Sequence, residues 1–93
     1  MAGRHPKVVS TTRIVERIKA IPKGFVRTYG DIEPHAPRMV GRVLSQTSGL
    51  PWHRVVRADG SVAKGTRQLE LLRREGVPLI GERVDLRKAR LPH

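Results

Sequence analysis

The 93-residue chain contains no cysteine. That excludes a disulfide framework, thiolate zinc sites and a cysteine nucleophile, and it fits a reducing cytoplasm. Aromatic residues are scarce: Phe25, Tyr29 and Trp52 are all there are. A core of this size has reason to claim each of them, and Phe25 is assigned to it. No apolar run approaches the ~20 residues of a membrane span. The opening Met1-Ala2-Gly3-Arg4-His5-Pro6 lacks an apolar stretch, so no secretory signal is expected. The histidines, His5, His35, His53 and His93, are scattered without metal-ligand spacing. No serine or threonine forms an activating pattern with His53. No cofactor and no enzymatic activity are therefore expected.

Acidic residues are also few. Eight Asp and Glu face nineteen Lys and Arg, for a net charge of +11. Fourteen of the nineteen are arginine, whose planar fork suits bidentate phosphate contact. So large an excess in so small a chain points to a polyanion, most often nucleic acid. A membrane surface fits less well, because no segment pairs a basic face with a long aromatic-rich apolar one.

The length suits one domain. Residues 1–10 are basic and aperiodic and read as a flexible arm, leaving 11–93 as the folded unit. Ser10-Thr11-Thr12 offers an N-cap. Ile14, Val15, Ile18 and Ile21 recur at helical spacing, which predicts a helix over 12–20, stopped by Pro22-Lys23-Gly24. Thr28 and Asp31 form a capping-box pair for a very short second helix. Pro37 suits the first turn of a third helix. Met39, Val40, Val43 and Leu44 supply its apolar side, and Arg38 and Arg42 share another face. Two short helices joined by a tight turn make a helix-turn-helix outline. Trp52–Arg57 reads as a strand or extended segment and Ala58-Asp59-Gly60 as a turn. Thr66 caps a fourth helix, with Leu69, Leu71 and Leu72 facing inward and Gly76 ending it. Val77–Leu86 is extended with a turn near Gly81, and the tail from Arg87 is frayed. The fold class is mainly α, a small winged-helix or helix-turn-helix-like DNA-binding domain with short strands.

Three ordered segments carry a resemblance. They are Ile21-Pro22-Lys23-Gly24 with Val26-Arg27-Thr28-Tyr29-Gly30-Asp31-Ile32; Arg38-Met39-Val40-Gly41; and Pro51-Trp52-His53-Arg54-Val55-Val56 with Asp59-Gly60 and Leu72-Arg73-Arg74-Glu75-Gly76-Val77. Together they resemble the DNA-binding domain of the O6-alkylguanine-DNA alkyltransferases over residues 12–86. That family has Pro-Cys-His-Arg-Val at the third segment, where the cysteine accepts the alkyl group. Pro-Trp-His-Arg is similar to the alkyltransferase-like proteins, which bind alkylated guanine without dealkylating it.

The resemblance implies a mechanism. A base must leave the stack to be inspected, and a weakly paired damaged base leaves at least cost. Arg38 matches the arginine finger that fills the gap; a phosphate contact at a helix N-terminus is the alternative, and the Arg-x-Val-Gly pattern, which matches beyond the arginine itself, favours the finger. Tyr29 matches the tyrosine that presses on the target phosphate, and Thr28 and Tyr29 begin a helix whose N–H groups favour phosphate. Trp52 would wall the lesion pocket with Pro51, Val55 and Lys64. Where some members carry an arginine near the pocket loop, this chain has Lys64 followed by Gly65. Pro37, Met39, Gly41 and Arg42 fall on the groove-facing helix, which the family lays in the minor groove. Gly41 would allow close approach. His53 and Glu75 match the pair that polarises the family's cysteine and survive as a hydrogen-bond network. Arg54 reads as an ion-pair or phosphate partner. The Asp31–Pro37 connection is shorter than the family's.

The implied function is a non-enzymatic, monomeric, nucleoid-associated sensor. It flips O6-alkylguanine in double-stranded DNA and hands the lesion to nucleotide excision repair proteins. The competing reading is a basic helix-turn-helix protein that organises DNA or regulates transcription without lesion preference, with binding set by salt or by a major-groove sequence.

Overall fold

The computed structural model describes residues 10–92, so the basic arm lies outside the described residues except for Ser10, and so does His93. Helix α1 spans Thr11–Lys19, with Ser10 as its cap: the hydroxyl accepts from the Arg13 N–H at 3.2 Å. Ile14 and Ile18 fall one turn apart and are wholly buried. The chain passes Gly24, whose φ of +93° favours glycine, and enters β1, Arg27–Thr28.

Helix α2, Tyr29–Ile32, starts on a complete capping box. Thr28 Oγ1 accepts from the Asp31 N–H at 3.0 Å, and Asp31 Oδ2 accepts from the Thr28 N–H at 3.1 Å. The short connection to α3 is closed by Glu33, which is 5% exposed. Its carboxylate accepts from the His35 N–H and lies 3.9 Å from Arg17, which in turn donates to the Ile32 carbonyl at 2.6 Å. Helix α3, Pro37–Gln46, has proline in its first turn and no side-chain cap. Together α2 and α3 form the helix-turn-helix pair.

Trp52–Arg54 is a 3₁₀ turn and not the expected strand, which shrinks to β2, Val55–Val56. The turn is fixed by the Arg54 N–H donating to the Pro51 carbonyl at 3.0 Å. β1 and β2 pair in parallel, Arg27 with Val55 and Thr28 with Val56. Helix α4, Gly65–Arg74, begins two residues earlier than Thr66 allows as a cap: Lys64 is the N-cap, without a side-chain bond of its own. Leu69 and Leu72 are buried and Leu71 only half-buried. A hairpin follows, β3 (Leu79–Ile80) against β4 (Arg83–Val84), turning at Gly81 with φ +60°.

The tail is ordered. Helix α5, Leu86–Ala89, is capped by Asp85, and Ala89 is wholly buried. The Val26 N–H donates to the Ala89 carbonyl at 3.0 Å, and the Leu91 N–H to the Val26 carbonyl at 2.8 Å. These bonds, together with Arg90 on Asp31, hold the end of the chain beside β1.

Two hydrophobic clusters result. One gathers Ile14, Ile18, Ile21, Ile32, Val40, Val43, Leu50 and Val55, and the other Val26, Val56, Leu72, Val77, Val84 and Ala89. Successive strand residues point to opposite faces, so Val55 and Val56 feed one cluster each. Phe25 belongs to neither and is 37% exposed. The Pro22–Gly24 turn ends helix α1 just before it, and the next residue, Val26, takes the inward position. Among the described residues, no helix is long and apolar enough to cross a membrane.

Candidate nucleic-acid interface

A cleft of about 680 Å³ opens between α3 and α4, within the range of small-molecule pockets. Tyr29, Gly41, Leu44 and Ser45 line one side; Trp52, Ala63, Lys64, Arg67 and Gln68 line the other. A Cβ on Gly41 would sit 3.8 Å from Tyr29 Cε2, so this glycine faces the tyrosine across the cleft wall. Burial raises the Tyr29 hydroxyl's pKa, partly opposed by the Arg57 charge, so the group stays a neutral donor. Arg57 is one residue beyond the Thr28–Val56 pair, which sets it beside Tyr29.

Trp52 is half-buried, with its indole edge-on to the His53 ring at 5.9 Å and 82°. The backbone behind it is held by Glu75. One Glu75 oxygen lies 2.9 Å from His53 Nε2, and the carboxylate receives two bonds from Arg54, from Nε at 2.9 Å and Nη2 at 2.8 Å. Arg54 Nη1 also donates to the Ile21 carbonyl at 2.9 Å. The Arg54 bonds, reinforced by His53 against the opposing pull of burial, lower the Glu75 pKa to about 2. Arg54 is thus an internal ion-pair partner, with its guanidinium engaged by Glu75 and the Ile21 carbonyl.

Several expected site residues stand elsewhere. Val55 is wholly buried in the first cluster and does not line the cleft, because the 3₁₀ turn rotates it inward. Pro51 is half-buried beside the cleft, outside its lining. Thr28 is 4% exposed and its hydroxyl is spent on the capping box, so its side chain is not presented to a partner. Met39 packs against the first cluster. Pro37, Arg38 and Arg42 are exposed on α3, with Arg38 in its uncapped first turn.

Leu44, Ser45, Ala63, Arg67 and Gln68 were not foreseen as lining residues. Leu44 reads as core from its helical spacing. For Arg67 the signal was its position in the first turn of α4, just beyond a short loop. Gln68 gave no signal at all, since a glutamine on a helix is ordinarily a solvated face. Neither Lys64 nor Arg67 forms an ion pair among the described residues.

The model of the 6-O-methylguanine DNA methyltransferase DNA-binding domain matches residues 10–77. A DNA base-flipping protein of Escherichia coli is 40% identical, over 84% of this chain and 70% of its own. Alkyltransferase-like protein 1 of Schizosaccharomyces pombe is 30% identical, over 87% of this chain and 88% of its own. A crystal structure of S. pombe Atl1 in complex with damaged DNA containing O6-carboxymethylguanine aligns with a TM-score of 0.75 at 25% identity, covering 89% of this chain and 94% of that one. By sequence and by fold, the chain belongs to the 6-O-methylguanine DNA methyltransferase DNA-binding-domain family and stands among its alkyltransferase-like members.

Proposed function

We propose that this protein is a non-enzymatic sensor that binds duplex DNA and flips O6-alkylguanine into the cleft between α3 and α4. The observation that carries the reading is an open, base-sized cleft walled by Trp52, at the position where the family keeps its acceptor cysteine. An indole face stacks on an extruded base and contacts its alkyl group. It has no accessible anionic form with which to attack the alkyl carbon, and His53 has no thiol to activate. Its Glu75 is committed to Arg54 as well, so the pair braces the turn behind Trp52.

Arg38 enters the stack in place of the flipped base, where a flat guanidinium hydrogen-bonds the orphaned cytosine. Tyr29 presses on the flanking phosphate, and Arg42, Arg57, Lys64 and Arg67 supply positive potential around the mouth. Helix α3, with Pro37 exposed in its first turn and Gly41 at the cleft, lies in the minor groove, whose base-poor readout suits lesion search in any sequence. The bound lesion then marks the site for nucleotide excision repair. The protein acts as a monomer on nucleoid DNA.

The test is the dissociation constant for a duplex carrying one O6-methylguanine against the matched plain duplex. A lesion preference of at least about tenfold is expected, and Trp52→Ala removes it while leaving plain-duplex affinity within about twofold. Equal affinities of the native protein for both duplexes sink the proposal in favour of a general DNA-binding helix-turn-helix protein. Incubation with labelled methylated DNA leaves the protein unlabelled; label on the protein refutes the non-enzymatic part.

A further inference from the structure

Gln68 is 1% exposed, the most deeply buried polar side chain lining the cleft. A primary amide has two N–H donors and an oxygen with two lone pairs. Here Nε2 donates to the His53 carbonyl at 3.1 Å and to the Val55 carbonyl at 2.9 Å, while Oε1 accepts from the Lys64 N–H at 3.1 Å. Both hydrogens are spent, so the amide has one workable orientation. Reversed, it would set oxygen against two carbonyls and N–H against N–H.

The two ends of this amide hold different parts of the cleft. Nε2 grips the backbone directly after Trp52, and Oε1 grips the loop residue that begins α4 and precedes Arg67. We propose that Gln68 sets the spacing between the Trp52 wall and the Lys64–Arg67 wall, as a positioning residue for the flipped base. This rests on the base-flipping reading of the same cleft. An added gap of about 0.5–1 Å forfeits roughly a quarter to a half of the dispersion attraction, so discrimination of the lesion depends on that spacing. Phosphate contacts along the duplex tolerate such a shift, being longer-ranged. Gln68 therefore governs lesion preference and leaves plain-duplex binding alone.

The experiment measures both dissociation constants, on duplexes with and without one O6-methylguanine, for the native protein, Gln68→Leu, Gln68→Glu and Val84→Ala. Trp52 is the sole tryptophan, so its emission reports the wall directly when lesion DNA is added. Gln68→Leu is expected to lose about tenfold in lesion preference, with plain-duplex affinity within about twofold and the Trp52 quench reduced in parallel. Gln68→Glu keeps an acceptor for the Lys64 N–H and loses both donors, so its preference falls as well. Val84 belongs to the second cluster and is not among the residues that line the cleft, so Val84→Ala lowers stability and keeps the preference. Unchanged preference in Gln68→Leu overturns the inference, and so does an equal loss on both duplexes. If Gln68→Leu does not fold, Gln68→Glu carries the same readouts; failure of both to fold assigns Gln68 a purely structural role and also overturns it. A native protein without lesion preference overturns the base-flipping reading and this inference together, whereas a native preference that Gln68→Leu retains overturns this inference alone.

Discussion

The two hydrophobic clusters are built on different principles. The first draws on residues 14 to 55, half of them from one face each of α1 and α3: Ile14, Ile18, Val40 and Val43. Its helices are closed by local devices, the Ser10 cap and the Thr28–Asp31 box. The second draws on Val26, Val56, Leu72, Val77, Val84 and Ala89, one residue at a time over a longer reach of chain, with no two from the same helix. It depends on backbone approaches and polar bridges across long sequence distances: the Val84 N–H on the Gly60 carbonyl, Arg90 on Asp31, and Arg54 on Glu75. The cleft lies between the halves and takes a wall from each. A helical half tolerates loss of a local device, whereas the assembled half fails where one close contact is obstructed.

The contrast is most severely tested at Gly60. Its φ is +86°, and an added Cβ would meet the Val84 carbonyl oxygen at 2.4 Å. Gly60→Ala is expected to cost about 3 kcal/mol, through the left-handed backbone and the obstruction together. Thermal and denaturant unfolding measure this, and a cost below 1 kcal/mol would mean that the assembled half repacks as easily as the helical one.

Next comes the bridge through Glu75, which ties α4 to the turn behind Trp52. Glu75→Gln is expected to cost about 2 kcal/mol at pH 7, since Arg54 loses a charged partner in a mostly dry site. The carboxyl's pKa falls from 4.5 to about 2 on folding. Its contribution is therefore complete above about 4.5 and is lost as pH falls through about 2. Asp31 adds acid sensitivity in both proteins: burial would raise its carboxyl, but bonds from Arg90 and Thr28 hold it well below the usual range. Melting curves at pH 7 and pH 3 should show the gap between native and variant narrowing with acid. A constant gap would mean that Glu75 acts by shape alone.

Arg38 sharpens the comparison from the binding side, because it projects from the helical half and has no role in either cluster. Arg38→Ala is expected to weaken lesion binding about tenfold and plain-duplex binding by less, with stability unchanged. Equal loss on both duplexes would reduce Arg38 to a phosphate contact. The smallest effect belongs to Ser10. Ser10→Ala removes the α1 cap at about 1 kcal/mol, read as a small drop in melting temperature with no change in lesion preference.

The same contrast decides what could be read in advance. Periodicity and capping residues are local, so α1, the capping box and the proline-led α3 were legible in the sequence. Pro-Trp-His-Arg-Val-Val placed Trp52 through family resemblance. The 3₁₀ turn was not legible, because Trp52–Arg57 has strand-like composition and the turn is held by distant partners, Arg54 on Glu75 and Ile21 and Gln68 on the His53 carbonyl. The order of α5 was missed for a similar reason. Arg87-Lys88-Ala89-Arg90 reads as a polar tail until Ala89 meets Val26 and Arg90 meets Asp31. Gln68 escaped notice because burial of a glutamine depends on carbonyls presented by another element.

Asp31 has one further consequence. Its carboxylate serves the start of α2 and receives the guanidinium of Arg90 from the far end of the chain, at 2.9 Å from Nε. The final turn thus works as a latch on the helix that carries Tyr29. Whatever loosens the last few described residues, whether trimming, a fused tag or a bound neighbour, is felt at Tyr29 and the cleft it lines.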